Sequence, residues 1–179
     1  MFQKPAIFLD RDGTLVQEVN YLSRVEDLRL FPFTRAAIRA MREAGFLLIV
    51  ITNQSGIGRG IYDEEAMHSV HRRIQYHLEG SIDRFYFCPH LPCDGCQCRK
   101  PGQGMIEAAR KDFEINISDS WMIGDKAIDI ETGQGAGMRT ALVLTGYGAA
   151  HKNLLVNQPD IVADDLMGAT RAIVDQPQI

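Results

Sequence analysis

The chain alternates short apolar runs with polar turns over most of its length. A short apolar run that stops at a polar or glycine-bearing turn is typical of a strand buried on both faces. Such runs predict strands at residues 6–9, 46–51, 84–87, 120–123, 140–144 and 161–163. Residues 16–33 have no clear periodicity, and we expect a loop there with at most a short turn.

The segments between the strands have the spacing of amphipathic helices. The clearest helix begins at Asp63 and ends at Gly80. Its inward positions recur at intervals of three and four residues and are Met67, Val70, Ile74 and Leu78. Further helices are predicted from Thr34, as the N-cap, to Gly45, at 104–113, at 127–136, and from a cap near Asp164 or Asp165. Because strands and helices alternate, the pattern predicts a doubly wound α/β fold with a mostly parallel sheet.

Composition favours one domain over residues 1–179, since a chain of this length forms a single core. The net charge of −4 disfavours a nucleic-acid partner, which would need a basic face. No segment approaches the roughly 18 consecutive apolar residues of a membrane span. The first five residues lead directly into a strand and do not have the pattern of a signal peptide, so we expect a cytoplasmic protein, and we expect it to be a monomer.

Polar side chains follow three of the predicted strands at the point where each ends. They are Asp10 and Asp12 after the first, Thr52 and Asn53 after the second, and Asp125 and Lys126 after the fourth. The carboxyl ends of parallel strands share one ligand crevice. Carboxylates suit Mg²⁺, and hydroxyl, amide and cationic groups suit a phosphate. The three histidines of the helix after Asp63 have no carboxylate or cysteine at ligand spacing, so we interpret His68, His71 and His77 as packed or solvated side chains.

All four cysteines lie in the segment 88–98, together with His90. In a chain expected in the cytoplasm, such a cluster favours a metal over disulfides. Thiolate and imidazole donors fit tetrahedral Zn²⁺, and four protein ligands leave no open position, so the site would be structural. The residues alone leave two ligand sets open. One is Cys88, His90, Cys96 and Cys98, and the other is the all-cysteine set that uses Cys93.

Four motifs together resemble those of the haloacid dehalogenase superfamily of phosphatases. They are Asp10-Arg11-Asp12-Gly13-Thr14, Thr52-Asn53-Gln54-Ser55, Arg99-Lys100-Pro101, and Gly124-Asp125-Lys126 with Asp129. The resemblance covers nearly the whole chain and implies a Rossmann-like fold. No insertion after the first or second motif is large enough for a separate cap domain, so residues 16–33 and the cysteine loop would shape the pocket.

The resemblance implies a role for each motif. Asp10 would attack phosphorus and form an aspartyl-phosphate, and Asp12 would protonate the leaving group. Thr52, Arg99 and Lys100 would bind the phosphoryl oxygens. Asp10, Asp125 and the backbone carbonyl of Asp12 would hold Mg²⁺, with Asp129 in support. Two roles remain open for Lys126, which would either pair with Asp10 or touch the substrate.

Within the superfamily, the second motif and the cysteine loop resemble the family of D-glycero-D-manno-heptose 1,7-bisphosphate 7-phosphatases, which serve lipopolysaccharide precursor synthesis. That pattern favours the zinc set with His90 and implies a phosphorylated sugar as substrate. Its implied contacts are Glu18, Val19, Asn20, Tyr21, Asn53, Gln54 and Ser55. The bacterial histidinol-phosphatase family is the alternative, and it tends to carry an acidic residue where this chain has Ser55. A zinc-stabilised binding module without catalysis is a third hypothesis.

Overall fold

The computed structural model describes residues 3–175, which contain a six-stranded sheet. The strands are β1 (Lys4–Leu9), β2 (Leu47–Asn53), β3 (Arg84–Cys88), β4 (Ile115–Gly124), β5 (Arg139–Val143) and β6 (Ile161–Ala163). They lie in the order β3-β2-β1-β4-β5-β6, and every neighbouring pair is parallel. The predicted parallel α/β sheet is confirmed.

Helices connect the strands and cover both faces of the sheet. In the described residues they are α1 (Thr34–Glu43), α2 (Ser55–Gly58), α3 (Glu64–His77), α4 (Gly104–Asp112), α5 (Ala127–Gly135), α6 (Gly148–His151) and α7 (Leu166–Val174). Short 3₁₀ turns occur at Val25–Asp27, Pro92–Asp94 and Lys152–Leu154. In this part of the chain, no helix has both the length and the apolar composition to cross a membrane.

The core is divided into two layers by the sheet, because successive side chains of a strand point to opposite faces. In β1, Ile7 and Leu9 join the layer beneath α1, α3 and α7, while Ala6 and Phe8 join the layer beneath α4. These four side chains are fully buried. The central strand that leads to Asp10 is therefore fixed from both sides.

Two aspartates cap helices through their side chains: the cap expected near Asp164 or Asp165 is confirmed at Asp165, and Asp63 caps the helix that was expected to begin there. Asp63 accepts a hydrogen bond from the Ala66 N–H at 2.8 Å, and Asp165 accepts one from the Gly168 N–H at 2.8 Å. The N-cap expected at Thr34 is wrong. Phe33 occupies the cap position, and the Thr34 hydroxyl donates to the Leu15 carbonyl at 2.8 Å. This bond ties the start of α1 to the loop after β1.

β4 is longer than the apolar run 120–123 that predicted it. It begins at Ile115, and Ile115 and Asn116 pair with Lys4 and Pro5 of β1 before the register shifts. At the shift, the Ser120 hydroxyl accepts a hydrogen bond from the Ala6 N–H at 2.9 Å. A side chain thus replaces the missing backbone partner, and the apolar pattern alone does not reveal such a strand.

No second domain is inserted between the strands of residues 3–175, in agreement with the expected absence of a cap domain. The segment 16–33 is a loop as expected, with one 3₁₀ turn and a bridge between Val16 and Leu30. Leu15, Val16 and Leu22 are buried, which holds this loop against the sheet edge.

Candidate active site

Three adjacent strands bring the polar motifs to one edge of the sheet. Asp10 follows β1, Thr52 and Asn53 end β2, and Asp125 follows β4. Because β1 lies between β2 and β4, the carboxyl ends of all three strands meet. The structure therefore brings together the groups that the sequence pattern placed in one crevice.

Asp10 is a buried carboxylate held by Lys100. The Lys100 ammonium donates to Asp10 Oδ1 at 2.9 Å, to Asp129 Oδ1 at 2.6 Å and to the Ile51 carbonyl at 3.0 Å. Burial opposes ionisation of Asp10, but Lys100 and Lys126 outweigh it and hold the pKa of Asp10 below its ordinary value. Lys100 was predicted to bind phosphate. All three of its N–H donors instead serve protein groups, so in this arrangement it acts on Asp10.

Asp129 holds the ammonium of Lys100 in place together with Asp10. It is fully buried, and its second oxygen accepts a hydrogen bond from the Lys126 backbone N–H at 3.0 Å. Burial and the nearby Asp10 raise the pKa of Asp129, while Lys100 opposes that shift. Both of its oxygens are thus engaged by the protein, which agrees with a supporting position rather than a direct one.

Asp125 has one oxygen to spare. Its Oδ2 accepts from the Tyr147 backbone N–H at 2.8 Å, whereas its Oδ1 is buried and has no hydrogen-bond partner among the described residues. Burial and the neighbouring Asp10 and Asp129 raise the pKa of Asp125 to about 8. A buried oxygen of this kind normally finds a partner, so its isolation indicates a place for a cation.

The surroundings of Asp125 also fit a cation. Gly13 and Gly146 both press against its carboxylate, where a Cβ atom on either residue would collide with Asp125 Oδ2. Oxygens of Asp10, Asp125 and Asp129 all lie within 4.8 Å of one another. Hard oxygen donors at such a spacing suit Mg²⁺, which is bound through one or two carboxylates together with substrate phosphate and water.

Asp12 is held by Arg11, a residue that the sequence interpretation missed. Arg11 Nε donates to Asp12 Oδ2 and Arg11 Nη2 donates to Asp12 Oδ1, both at 3.0 Å. Only 1% of the Arg11 side chain is exposed. Its position in the sequence, between Asp10 and Asp12, could have indicated this role, because a buried cation between two carboxylates balances their charge.

Gln54 joins this group and was predicted as a substrate contact. Its Nε2 donates to Asp12 Oδ2 at 3.1 Å and to Thr52 Oγ1 at 2.8 Å. Its Oε1 accepts from Arg11 at 3.1 Å and from the Tyr62 hydroxyl at 2.5 Å. All four hydrogen-bonding positions of the amide are thus engaged by protein groups, and the direct contact with a substrate stays a prediction for a residue that lines the larger cavity. Because Thr52 accepts from Gln54, its own hydroxyl proton is free to point into the crevice.

Two neighbouring cavities lie at this edge of the sheet. The smaller, of about 40 Å³, is lined by Asp10, Asp12, Thr52, Asn53, Lys100, Lys126, Ile128 and Asp129. The larger, of about 220 Å³, is lined by Arg11, Asp12, Glu18, Val19, Asn20, Tyr21, Leu22, Asn53, Gln54, Ser55, Tyr62, Lys126 and Tyr147. Asp12, Asn53 and Lys126 belong to both linings. The expected contacts of the 16–33 loop therefore all face the larger cavity.

Lys126 occupies the junction of the two cavities. It pairs with Glu18 at 3.4 Å and lies 5.0 Å from the centre of the Tyr147 ring. Burial lowers the pKa of Lys126, but Asp10 and Asp125 more than compensate and raise it above its ordinary value. Of the two roles left open for Lys126, pairing with Asp10 is not seen, because its ion-pair partner is Glu18, and contact with the substrate stays a prediction. Tyr62 and Tyr147 were missed, since neither belongs to a recognisable motif.

Asn53 and Arg99 act on the end of the cysteine loop. The Asn53 side chain accepts from the Lys100 backbone N–H at 3.0 Å and donates to the Lys100 carbonyl at 3.3 Å. Arg99 was expected to bind phosphoryl oxygens, but it lines neither cavity. Its guanidinium donates to the His90 carbonyl at 3.2 Å. In this arrangement Arg99 braces the loop.

The cysteine loop brings four donors together. Distances between the sulfur atoms of Cys88, Cys96 and Cys98 and the Nδ1 of His90 are 3.1–3.5 Å where they are in contact. Ligands bonded to zinc at about 2.0–2.3 Å in a tetrahedron would lie roughly 3.3–3.8 Å apart. Cys93 is exposed, and its sulfur lies 3.8 Å from Asp94 Oδ1. Of the two ligand sets, the one with His90 has donor atoms that converge, and its chemistry fits Zn²⁺.

The sequence is similar to known phosphatases over almost its whole length. Residues 97–169 match a family model described as HAD-hydrolase-like. The chain is 40% identical over 189 aligned positions to the D-glycero-D-manno-heptose-1,7-bisphosphate 7-phosphatase of Thermosynechococcus vestitus, with 95% of each protein covered. It is 41% identical over 192 positions to the protein of the same name from Chlorobaculum tepidum, with 96% of this chain and 95% of the relative covered.

The fold is also similar to solved structures of related enzymes. D,D-heptose 1,7-bisphosphate phosphatase from B. bronchiseptica, complexed with magnesium and phosphate, superposes with a TM-score of 0.88 at 27% identity. The superposition covers 95% of this chain and 98% of that one. The magnesium and phosphate of that enzyme agree with the cation and anion chemistry indicated by the present site.

Proposed function

Because the chain belongs to the D-glycero-D-manno-heptose-1,7-bisphosphate 7-phosphatase family of haloacid dehalogenase-like phosphatases, we propose that it removes the 7-phosphate of that sugar. The reaction would proceed through an aspartyl-phosphate on Asp10 and would serve heptose precursor synthesis for lipopolysaccharide. Since the chain is a phosphatase, the hypothesis of a binding module without catalysis is set aside.

The observation that carries the proposal is the position of Asp12 between the two cavities. The smaller cavity has the buried carboxylates and cations that a phosphoryl group needs. The larger one is polar and open to the surface, as suits a sugar with a second phosphate. The bridging ester oxygen of a phosphorylated sugar would then lie beside Asp12.

Asp10 is suited to nucleophilic attack because it stays ionised despite its burial. One of its oxygens would bond to phosphorus in line with the departing sugar oxygen, and the phosphorus–oxygen bond to the sugar would break. Forming an aspartyl-phosphate divides one difficult hydrolysis into two easier steps. Water then attacks the same phosphorus, releases phosphate and restores Asp10.

Asp12 would carry the proton for both steps. It donates to the sugar oxygen as that bond breaks, and in the second step it removes a proton from the attacking water. Its carboxylate is oriented by the two parallel contacts from Arg11. This orientation keeps it at the junction of the cavities, where both the leaving group and the water must lie.

The remaining groups balance charge. Thr52 would donate its hydroxyl to a phosphoryl oxygen, and Lys126 would add positive charge at the junction. Asp10, Asp125 and the backbone carbonyl of Asp12 would hold Mg²⁺, which when bound reduces repulsion between Asp10 and the phosphate dianion. Zn²⁺ in the cysteine loop would fix the chain that carries Lys100.

A substrate panel tests the proposal. Purified protein with Mg²⁺ is assayed for phosphate release from the α and β anomers of the heptose 1,7-bisphosphate, from histidinol phosphate and from 4-nitrophenyl phosphate. We expect kcat/KM for one heptose anomer to exceed that for histidinol phosphate by at least about 100-fold, since a site built for a substrate's polar groups discriminates strongly. A preference for histidinol phosphate would overturn the assignment while leaving the phosphatase chemistry intact.

A further inference from the structure

Arg11 makes a contact on its far side from Asp12. Its Nη1 lies 3.2 Å from Nε2 of His71, a residue of α3. Both side chains are buried, with exposures of 1% for Arg11 and 5% for His71. The guanidinium is therefore held at both ends, by a carboxylate on one side and by an imidazole on the other.

The chemistry of the pair fixes the state of His71. A guanidinium can only donate, so Nε2 of His71 must accept and the ring must be neutral. Burial and, to a smaller extent, the nearby Arg11 lower the pKa of His71 to about 2. The ring proton is then on Nδ1, which is buried and has no hydrogen-bond partner among the described residues.

That unpartnered Nδ1 argues against a purely packing role. An apolar side chain at position 71 would fill the space without burying a donor that lacks a partner, which is unfavourable. The ring is held in place by stacking on Phe85 of β3, with centres 4.6 Å apart and planes at 21°. The feature that an apolar residue could not supply is the acceptor that faces Arg11.

We propose that His71 is a positioning residue, which fixes the guanidinium of Arg11 and through it the carboxylate of Asp12 at the junction of the two cavities. The inference rests on the proposed role of Asp12 as the acid that protonates the leaving group. His71 itself touches no reacting atom. Its influence is confined to the placement of Asp12.

This arrangement has a specific kinetic consequence. Without the acceptor at position 71, the guanidinium of Arg11 loses one of its hydrogen-bond partners and can rotate. Asp12 is then less well placed for proton donation. A leaving group that departs easily without a proton suffers little from this. Phenol, with a pKa of about 10 as in tyrosine, needs protonation much more than the more acidic 4-nitrophenol.

The test compares phenyl phosphate with 4-nitrophenyl phosphate in four variants. For His71→Phe, which keeps a ring but removes the acceptor, we expect kcat for phenyl phosphate to fall by about 10-fold and kcat for 4-nitrophenyl phosphate by less than about 2-fold. Asp12→Asn should show the same selectivity in stronger form. His71→Gln, which restores an acceptor, should recover most of the loss on phenyl phosphate. Arg11→Lys keeps the charge but cannot hold both partners, so it should resemble His71→Phe.

His68→Phe provides the matched control. His68 lies on the same helix, with its ring 6.2 Å from that of His71, and packs against Phe87 without contacting Arg11. It should leave both rates within about 2-fold of the unaltered protein, because it carries no contact to Asp12. Equal losses on the two aryl phosphates in His71→Phe and Arg11→Lys would overturn the inference. Because neither compound is a sugar phosphate, failure of the heptose assignment would not produce that result.

Discussion

The crevice at the strand ends and the cysteine loop position their side chains by different means. Asp10 and Asp125 leave central strands that are buried on both faces, so the hydrophobic core places them. The loop from Cys88 to Cys98 contains one short 3₁₀ turn as its regular structure. Its path is defined by four metal-ligand atoms, three sulfurs and one imidazole nitrogen, that lie within 4.8 Å of one another. One region should survive the loss of a metal ligand, and the other should not.

The two regions meet at Lys100. This residue follows the last cysteine of the loop by two positions, yet its ammonium lies in the crevice between Asp10 and Asp129. A loop for which we propose ordering by zinc thus places a positive charge in a site that is positioned by the core. The predictions below separate these contributions.

The largest effect is expected from Asp10→Asn, which alters the chemistry of the crevice and leaves both regions folded. An amide cannot form the acyl phosphate, so turnover should fall by at least about 10⁴-fold. Phosphate release in the presence of Mg²⁺ measures this. Zinc content and melting temperature should match those of the unaltered protein, and substantial residual turnover would remove Asp10 from the nucleophilic role.

Cys96→Ala should disorder the cysteine loop and leave the Mg²⁺ ligands of the crevice in place. Binding energy from a metal is what orders a short segment of this kind, so the variant should lose zinc. Turnover should fall by about 100-fold, because a displacement of about 1 Å at Lys100 is enough for such a loss. Metal analysis and a steady-state assay measure the two effects.

The crevice should bind Mg²⁺ almost as before in Cys96→Ala. Asp10 and Asp125 remain at the ends of central strands whose apolar side chains are fully buried, so we expect both carboxylates to stay in place. A magnesium titration of the variant checks this half of the comparison. Zinc-free protein with full activity would contradict the positioning role of the loop, and a large loss of Mg²⁺ affinity would show that the two regions are not independent.

Sequence patterns predicted what the core determines. Apolar runs located the strands, and the polar residues at their ends located Asp10, Thr52 and Asp125, because the geometry of a parallel sheet brings those ends together. Cysteine spacing located the loop. The choice of His90 over Cys93 came from family resemblance, since either side chain could have been a ligand on residue type alone.

Contacts between distant side chains were not predictable in the same way. Arg11 and Gln54 have roles set by hydrogen bonds to partners up to 60 residues away. Arg99 follows the last zinc ligand, and its direction depends on the loop's path rather than on any periodicity. Thr34 is not the cap because the backbone is already helical at Phe33, which places Thr34 inside the helix, where its hydroxyl donates to the carbonyl of Leu15. The four-residue helices α2 and α6 are too short to show a helical period.

Asn53→Ala tests the contact between the crevice and the end of the cysteine loop, and it is a smaller change than the loss of a zinc ligand. Asn53 makes both of its hydrogen bonds to the backbone of Lys100, and their loss should let that residue shift without releasing zinc. We expect turnover to fall by about 10-fold, a fraction of the loss expected for a full 1 Å displacement. Unchanged zinc content with reduced turnover would support this result, whereas loss of zinc would mean that Asn53 also orders the loop.

The smallest effect is expected from Cys93→Ala, which changes a cysteine of the same loop outside the cluster of donors. The Cys93 thiol is exposed, and its hydrogen-bond partner within residues 3–175 is Asp94, so zinc content should not change and turnover should stay within about 2-fold. Metal analysis of the double variant Cys93→Ala/Cys96→Ala completes the comparison. If Cys96→Ala alone retains zinc and the double variant does not, Cys93 is a substitute ligand, and the loop tolerates more rearrangement than the converged geometry of Cys88, His90, Cys96 and Cys98 implies.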